Sequence, residues 1–143
     1  MADGANRAHE TLMRGVARAF GEGDLQPLFA AIDDNVIWTE TAPAGFFRFG
    51  GTRRGRTGVI ETEAYVSAAY LFRRFEPVEI VTSGDVVWGL FRVEGTHRPT
   101  GRAIKADYVA RWRIRNGKII EHQGFYDTAA VLIQQGQIPA PAG

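Results

Sequence analysis

Glu40 closes the segment Asn35–Val36–Ile37–Trp38–Thr39–Glu40, in which apolar residues alternate. In a strand, Val36, Trp38 and Glu40 share one face, and Ile37 and Thr39 take the other. Val36 and Trp38 mark their face as the buried one, so Glu40 is carried onto apolar surface. A carboxylate stripped of water there is a stronger proton acceptor, moved toward the useful range of a general base. The plainer alternative is a strand-end glutamate that reaches solvent or an arginine.

His122 is the second candidate, and its side of the sheet depends on the turn at Asn116–Gly117. A two-residue type I′ hairpin would pair Arg115 with Lys118 and put His122 on the face of Arg111. A three-residue loop with a bulge at Gly117 would pair Ile114 with Lys118 and turn His122 to the face of Ala110. The second register is the expected one, because it gathers Ile120, Gly124 and Tyr126 with Trp112 and Tyr108; its cost is an outward Phe125. His122 is then either a catalytic group or a satisfied structural histidine. Tyr108 and Tyr126 become inward hydroxyls able to donate to a carbonyl or enolate oxygen, with ordinary aromatic packing as the alternative. His9, His97 and His122 are the only histidines and fall on distant elements without HxxxH or HxH spacing. A metal site is therefore not expected. No glycine-rich phosphate loop follows a strand and GxSxG is absent, so no cofactor is expected.

These side chains need elements to hold them. Leu12, Val16, Ala19 and Phe20 recur at helical spacing from about His9, and Gly21 and Gly23 end that helix. Asp24 caps a short second helix with Pro27 in its first turn, and the Glu40 strand follows. The Gly- and Pro-rich stretch from Thr41 to Arg56 carries Phe46, Phe47 and Phe49, either a flap over something apolar or a short edge strand. Thr57 caps a third helix reaching about Arg73, with Ile60, Ala64, Ser67 and Leu71 as its stripe and Val59, Val66 and Tyr70 beside it. After Pro77 the pattern is strands: Val78 to Thr82, Val86 to Thr96, Ala103 to Arg115 and Lys118 to Tyr126. Helices first and antiparallel strands after make an α+β chain. A helix lying across a strongly curved sheet would close a cone with an apolar interior, a natural small-molecule pocket.

Composition sets the outer limits. The chain has 143 residues, 45% hydrophobic and 23% charged, which suits one domain, 1–143, with a real core. There is no cysteine, so disulfides and thiolate chemistry are excluded and a cytoplasmic location is expected. A net charge of +1 gives no electrostatic case for nucleic acid, and Arg53–Arg54–Gly55–Arg56 reads as a solvated loop. Neither a signal peptide nor a membrane span is recognised.

Taken in order, Gly23–Asp24–Leu25, Asp33–Asp34–Asn35–Val36–Ile37–Trp38, Gly101–Arg102, Asn116–Gly117–Lys118–Ile119 and Asp127 resemble the ketosteroid-isomerase-like and SnoaL-like branch of the nuclear-transport-factor-2-like superfamily. The resemblance covers nearly the whole chain. It implies a conical barrel of mainly antiparallel sheet around N-terminal helices, a deep pocket and commonly a homodimer; it does not imply one reaction. Glu40 falls where ketosteroid isomerases keep their aspartate base. The tyrosine and protonated-aspartate donors of that group fall on Val16 and Ala110, which cannot donate. The Asp-Arg-Asp set of limonene-epoxide hydrolases falls on Phe91, Val93 and Gly124, which argues against that hydrolysis. Asp127 is the nearest match to the acid/base residue of SnoaL-like cyclases.

The resulting expectation is a cofactor-independent isomerase-, cyclase- or lyase-type enzyme acting by acid/base chemistry on a hydrophobic carbonyl compound. Glu40, His122 and Asp127 are its catalytic candidates, and Val16, Trp38, Tyr108, Ala110, Trp112 and Tyr126 its pocket. The alternative is a non-catalytic ligand-binding or dimerisation module. A homodimer is expected through the outer sheet face, where Trp88, Leu90, Val109 and Phe125 would otherwise be exposed, with Arg111 and Arg113 meeting acidic residues of the second copy.

Overall fold

The computed structural model describes residues 2–142. Helix α1 (Ala2–Gly21) buries Met13, Val16 and Ala17, with Leu12 and Phe20 beside them, as the helical spacing requires. A short α2 (Gln26–Ala31) with Pro27 in its first turn leads into strand β1 (Ile32–Thr41). A loop over residues 42–50 is followed by β2 (Gly51–Arg54) and α3 (Gly55–Ala69). Then come four strands in succession: β3 (Tyr70–Ser83), β4 (Val86–His97), β5 (Arg102–Arg115) and β6 (Lys118–Phe125), and a last helix α4 (Thr128–Gln134). The strands form one curved, open, mostly antiparallel sheet in the order β2-β1-β6-β5-β4-β3. The exception is the parallel contact of β1 with β6, which joins the first strand of the chain to the last. The fold is α+β, with the helices on the concave side of the sheet.

Alternation fixes what faces that interior. On β1, Ile32, Val36, Trp38 and Glu40 are buried. On β4, Val87, Phe91 and Val93 point inward, and on β5 Ile104, Ala110, Trp112 and Ile114 do the same. Phe47 and Phe49 of the 42–50 loop are buried in the core, whereas Phe46 is exposed.

Several elements depart from the expectation. Helix α3 ends at Ala69, and residues 70–77 belong to β3. Pro77 sits inside that strand, tolerated because β3 lies at the sheet edge; the register shifts beside it. The anticipated stripe of α3 is the solvent face: Ile60, Ala64, Ser67 and Leu71 are all exposed, and Gly58, Val59, Thr62 and Glu63 are buried. Leu71, one of the stripe's two large apolar members, lies beyond the helix in β3, so the stripe does not run the length of α3. Helix α4 was not anticipated.

The Asn116–Gly117 turn also differs. Arg115 pairs with Lys118, and Asn116 and Gly117 both take positive φ (52° and 72°), the two-residue type I′ geometry that Asn-Gly favours. The extra residue enters further along: Ile114 pairs with Ile119, and Arg113 with Glu121, leaving Ile120 as the bulge. That bulge restores the parity that the tight turn would have lost. His122 therefore lies opposite Trp112 and is buried, and Ile119 rather than Ile120 takes the core position.

Candidate active site

The site is built on three neighbouring strands. The parallel register of β1 and β6 sets Trp38 beside His122 and Glu40 beside Gly124. The antiparallel register of β6 and β5 sets His122 beside Trp112 and Gly124 beside Ala110. Glu40 is only 7% exposed, and its carboxylate collects the neighbouring donors. His122 Nε2 lies 2.7 Å from Glu40 Oε1, and the Tyr108 hydroxyl donates to both Oε1 and Oε2 at 2.9 Å. A carboxylate only accepts, so Nε2 of His122 carries the proton in this pair. The His122 ring is held by stacking on Trp38, with centroids 3.8 Å apart and planes 14° from parallel. Its Nδ1 is buried without a partner.

Gly124 makes the cluster possible. A Cβ at this position would fall on the Tyr108 hydroxyl and within 2.5 Å of Glu40 Oε2. The residue that breaks the alternating pattern of β6 is thus the one over which the hydrogen-bonded group closes.

These groups form the polar part of a cavity of about 120 Å³ whose walls are otherwise aliphatic and aromatic. Val16, Trp38, Tyr108, Trp112 and Tyr126 line it together with Glu40 and His122. Ala110 is fully buried but packs between Gly89 and Gly124 on the neighbouring strands and does not reach the cavity. Asp127 is a correction: it is exposed, outside the cavity, and its Oδ1 accepts from the Ala130 amide at 3.0 Å as the N-cap of α4. The chain leaves the sheet after Phe125, so Asp127 turns away from the interior. Burial, reinforced by the Glu40 charge, pushes the Tyr108 phenol well above its ordinary range, and burial first of all raises Tyr126 as well. Tyr70 is pushed up to about 12 by burial, offset in part by its 2.7 Å hydrogen bond to Gln135. All three phenols are donors at neutral pH.

Sequence reasoning missed Glu63. It is 5% exposed, lines the cavity from α3, and has a buried Oε2 with no hydrogen-bond partner. Burial, and secondarily the charge of Glu40, raises its carboxyl to about 8. The signal was present: Val59, Glu63 and Val66 follow the i, i+4, i+7 spacing of one helix face. Among the described residues, no group of three His, Cys, Asp or Glu is placed to hold a metal ion, and no helix is long and apolar enough to cross a membrane.

Comparison with known proteins agrees with this architecture. The profile of the SnoaL-like domain matches residues 13–122. No curated protein matches the chain. Among solved structures, an NTF2-like protein of unknown function from Burkholderia pseudomallei is 26% identical, with a TM-score of 0.81 over 89% of this chain and 96% of that one. A Rhodopseudomonas palustris protein provisionally named an isomerase is 22% identical, with a TM-score of 0.78 over 92% and 97% of the two chains. A protein of ketosteroid-isomerase-like fold from Catenulispora acidiphila, in complex with trimethylamine, is 18% identical, with a TM-score of 0.74 over 87% and 92%. The chain belongs to the SnoaL-like domain family, within the nuclear-transport-factor-2-like superfamily.

Proposed function

We propose that this protein is a cofactor-independent enzyme of the isomerase, cyclase or lyase type that moves a proton on a small hydrophobic carbonyl compound. The observation that carries the reading is a single acid–base cluster, Glu40–His122–Tyr108, in the wall of an otherwise apolar cavity. Glu40 is the base. Its Oε2 takes only the Tyr108 hydroxyl and keeps lone-pair capacity for a substrate proton, whereas Oε1 takes both Tyr108 and His122. His122 orients the carboxylate and stabilises its charge. Tyr126 stands in the same wall as a hydroxyl donor. The test is exchange of α-hydrogens for deuterium in a panel of small cyclic and aryl ketones, followed by NMR. Exchange by the wild type that disappears in Glu40→Gln supports the reading; no exchange with any ketone by a well-folded protein overturns it.

A second reading, a non-catalytic binding module, is favoured by the same wall seen as a cage. Aromatic rings surround two carboxyl groups, and neither lysine nor arginine lines the cavity. That combination suits a methylated ammonium ion, and the Catenulispora protein of the same fold was obtained in complex with trimethylamine. Saturable trimethylamine binding by calorimetry, without ketone exchange, would favour this alternative.

A further inference from the structure

In the chemistry assigned to Glu40, the donor offered to the substrate oxygen is the Tyr126 hydroxyl. Val16 and Ala110 have no side-chain donor, and Tyr108 is occupied by Glu40. Glu63 is the cavity group left unused. It enters from α3, and the titratable groups sharing the cavity with it are Glu40 on β1, Tyr70 on β3, Tyr108 on β5, His122 on β6 and Tyr126 just beyond β6. Arg53 on β2, a strand packed against α3, is engaged by Phe49 O at 2.9 Å, Arg48 O at 2.7 Å, Thr62 Oγ1 at 3.5 Å and the outer carboxylate of Glu61 at 3.6 Å. Two carboxyl groups thus share one apolar space with unequal support: Glu40 receives Tyr108 and His122, and the buried Glu63 Oε2 receives no donor among the described residues. The charge settles on Glu40 and the proton on Glu63. A neutral carboxyl has an O–H to give, and among the described residues it finds no acceptor. A buried donor left without a partner is costly, and a ligand oxygen would remove that cost.

We propose that Glu63 is the acid that holds the ligand's oxygen: its neutral carboxyl donates a hydrogen bond to the carbonyl oxygen of a bound, single-ring-sized ketone. This rests on the acid–base reading above. In the step it serves, the α C–H bond breaks and its proton goes to Glu40 Oε2. The C–H electron pair becomes the carbon–carbon double bond, and the carbonyl π pair moves onto the oxygen that Glu63 holds. Return of the proton from Glu40 to carbon closes the cycle with no other reactant. The size limit follows from the cavity of about 120 Å³, since a dry cavity of about 150 Å³ takes up benzene.

Cyclohexanone labelled with ¹³C at the carbonyl is the probe, read by NMR for both its carbonyl shift and its α-exchange. In the wild type the bound carbonyl should move downfield, and the effect should fade as pH rises through about 8. Glu63→Leu should abolish the shift and weaken binding about 3- to 10-fold, the worth of one hydrogen bond. Glu63→Gln, which keeps a neutral donor of the same shape, should retain the shift and lose its pH dependence; this variant decides the matter if Glu63→Leu fails to fold. A downfield shift that persists in Glu63→Leu, or a pH dependence unchanged in Glu63→Gln, overturns the role of Glu63 while exchange by the wild type leaves the base assignment standing. Absence of both binding and exchange in the wild type overturns the carbonyl reading and this inference together.

Discussion

Replacing Glu63 by glutamine should change how the stability of this protein depends on pH, and the size of the change follows from the burial of one carboxyl. In the folded chain, burial and the nearby Glu40 charge move that group from its ordinary 4.5 to about 8. Below pH 4.5 both folded and unfolded chains hold the proton, and the full stability is present. Between 4.5 and 8 the unfolded chain releases the proton and the folded chain keeps it. The folded state then binds more protons, so stability falls as pH rises, and the loss is complete above 8. The slope is about 1.4 kcal/mol per pH unit inside the window, and the whole loss is on the order of 5 kcal/mol. That is a large part of the roughly 5–15 kcal/mol that holds a domain of this kind together. Glutamine cannot ionise. Urea unfolding of wild type and Glu63→Gln at pH 5, 6, 7 and 8 should therefore give curves whose difference grows steadily in favour of the variant, the titrating groups remote from Glu63 cancelling in the comparison. Parallel curves across that range would refute the reasoning and mean that Glu63 is ionised in the folded chain.

Glu40→Gln should lower ketone exchange by roughly 10²- to 10⁴-fold and leave the circular dichroism spectrum unchanged; in stability measurements it should also narrow the pH window of Glu63, since one cause of that group's raised value is removed. Gly124→Ala forces Tyr108 and Glu40 apart and should cost about 1–3 kcal/mol in thermal or urea unfolding together with most of the exchange activity. Asp127→Ala removes the cap of α4 and should cost about 1 kcal/mol without affecting exchange. We also expect a homodimer through the outer face of the sheet, where Leu90, Val109 and Phe125 form one cross-strand row and the 43% exposed Trp88 stands in the next. Sedimentation should give twice the chain mass for the wild type and the monomer mass for Trp88→Glu, and a monomeric wild type would sink the idea. Within the single chain, Arg111 reaches Glu121 at 3.4 Å, and Arg113 reaches Glu121 and Asp85 at 2.6 and 2.9 Å.

The elements that period-2 alternation could define were legible from the residues. Val36, Trp38 and Glu40 share the buried face of β1, and the inward set of β5 is the one that its alternation marks. Weaker patterns misled. The stripe Ile60–Ala64–Ser67–Leu71 and the competing face Val59–Thr62–Glu63–Val66 carry similar apolar weight, so only packing against β1 and β2 decides between them. Pro77 argued for a strand start, and it lies within an edge strand, a distinction that depends on which strands are neighbours. Asp127 was matched to an acid through the resemblance to SnoaL-like cyclases, whereas its local hydrogen bond assigns it to the start of α4.

By itself the sequence determined the fold class, the inward position of Glu40 and the absence of any cysteine chemistry, because these depend on residue type and on periodicities of a few residues. The tertiary structure decided the rest of the site. Glu40 and His122 are 82 residues apart and meet only through the parallel pairing of the first and last strands. The bulge at Ile120, not the turn before it, sets the side on which His122 lies. The difference in protonation between Glu40 and Glu63 arises from which of two buried carboxyls the fold surrounds with donors, and no local pattern records that.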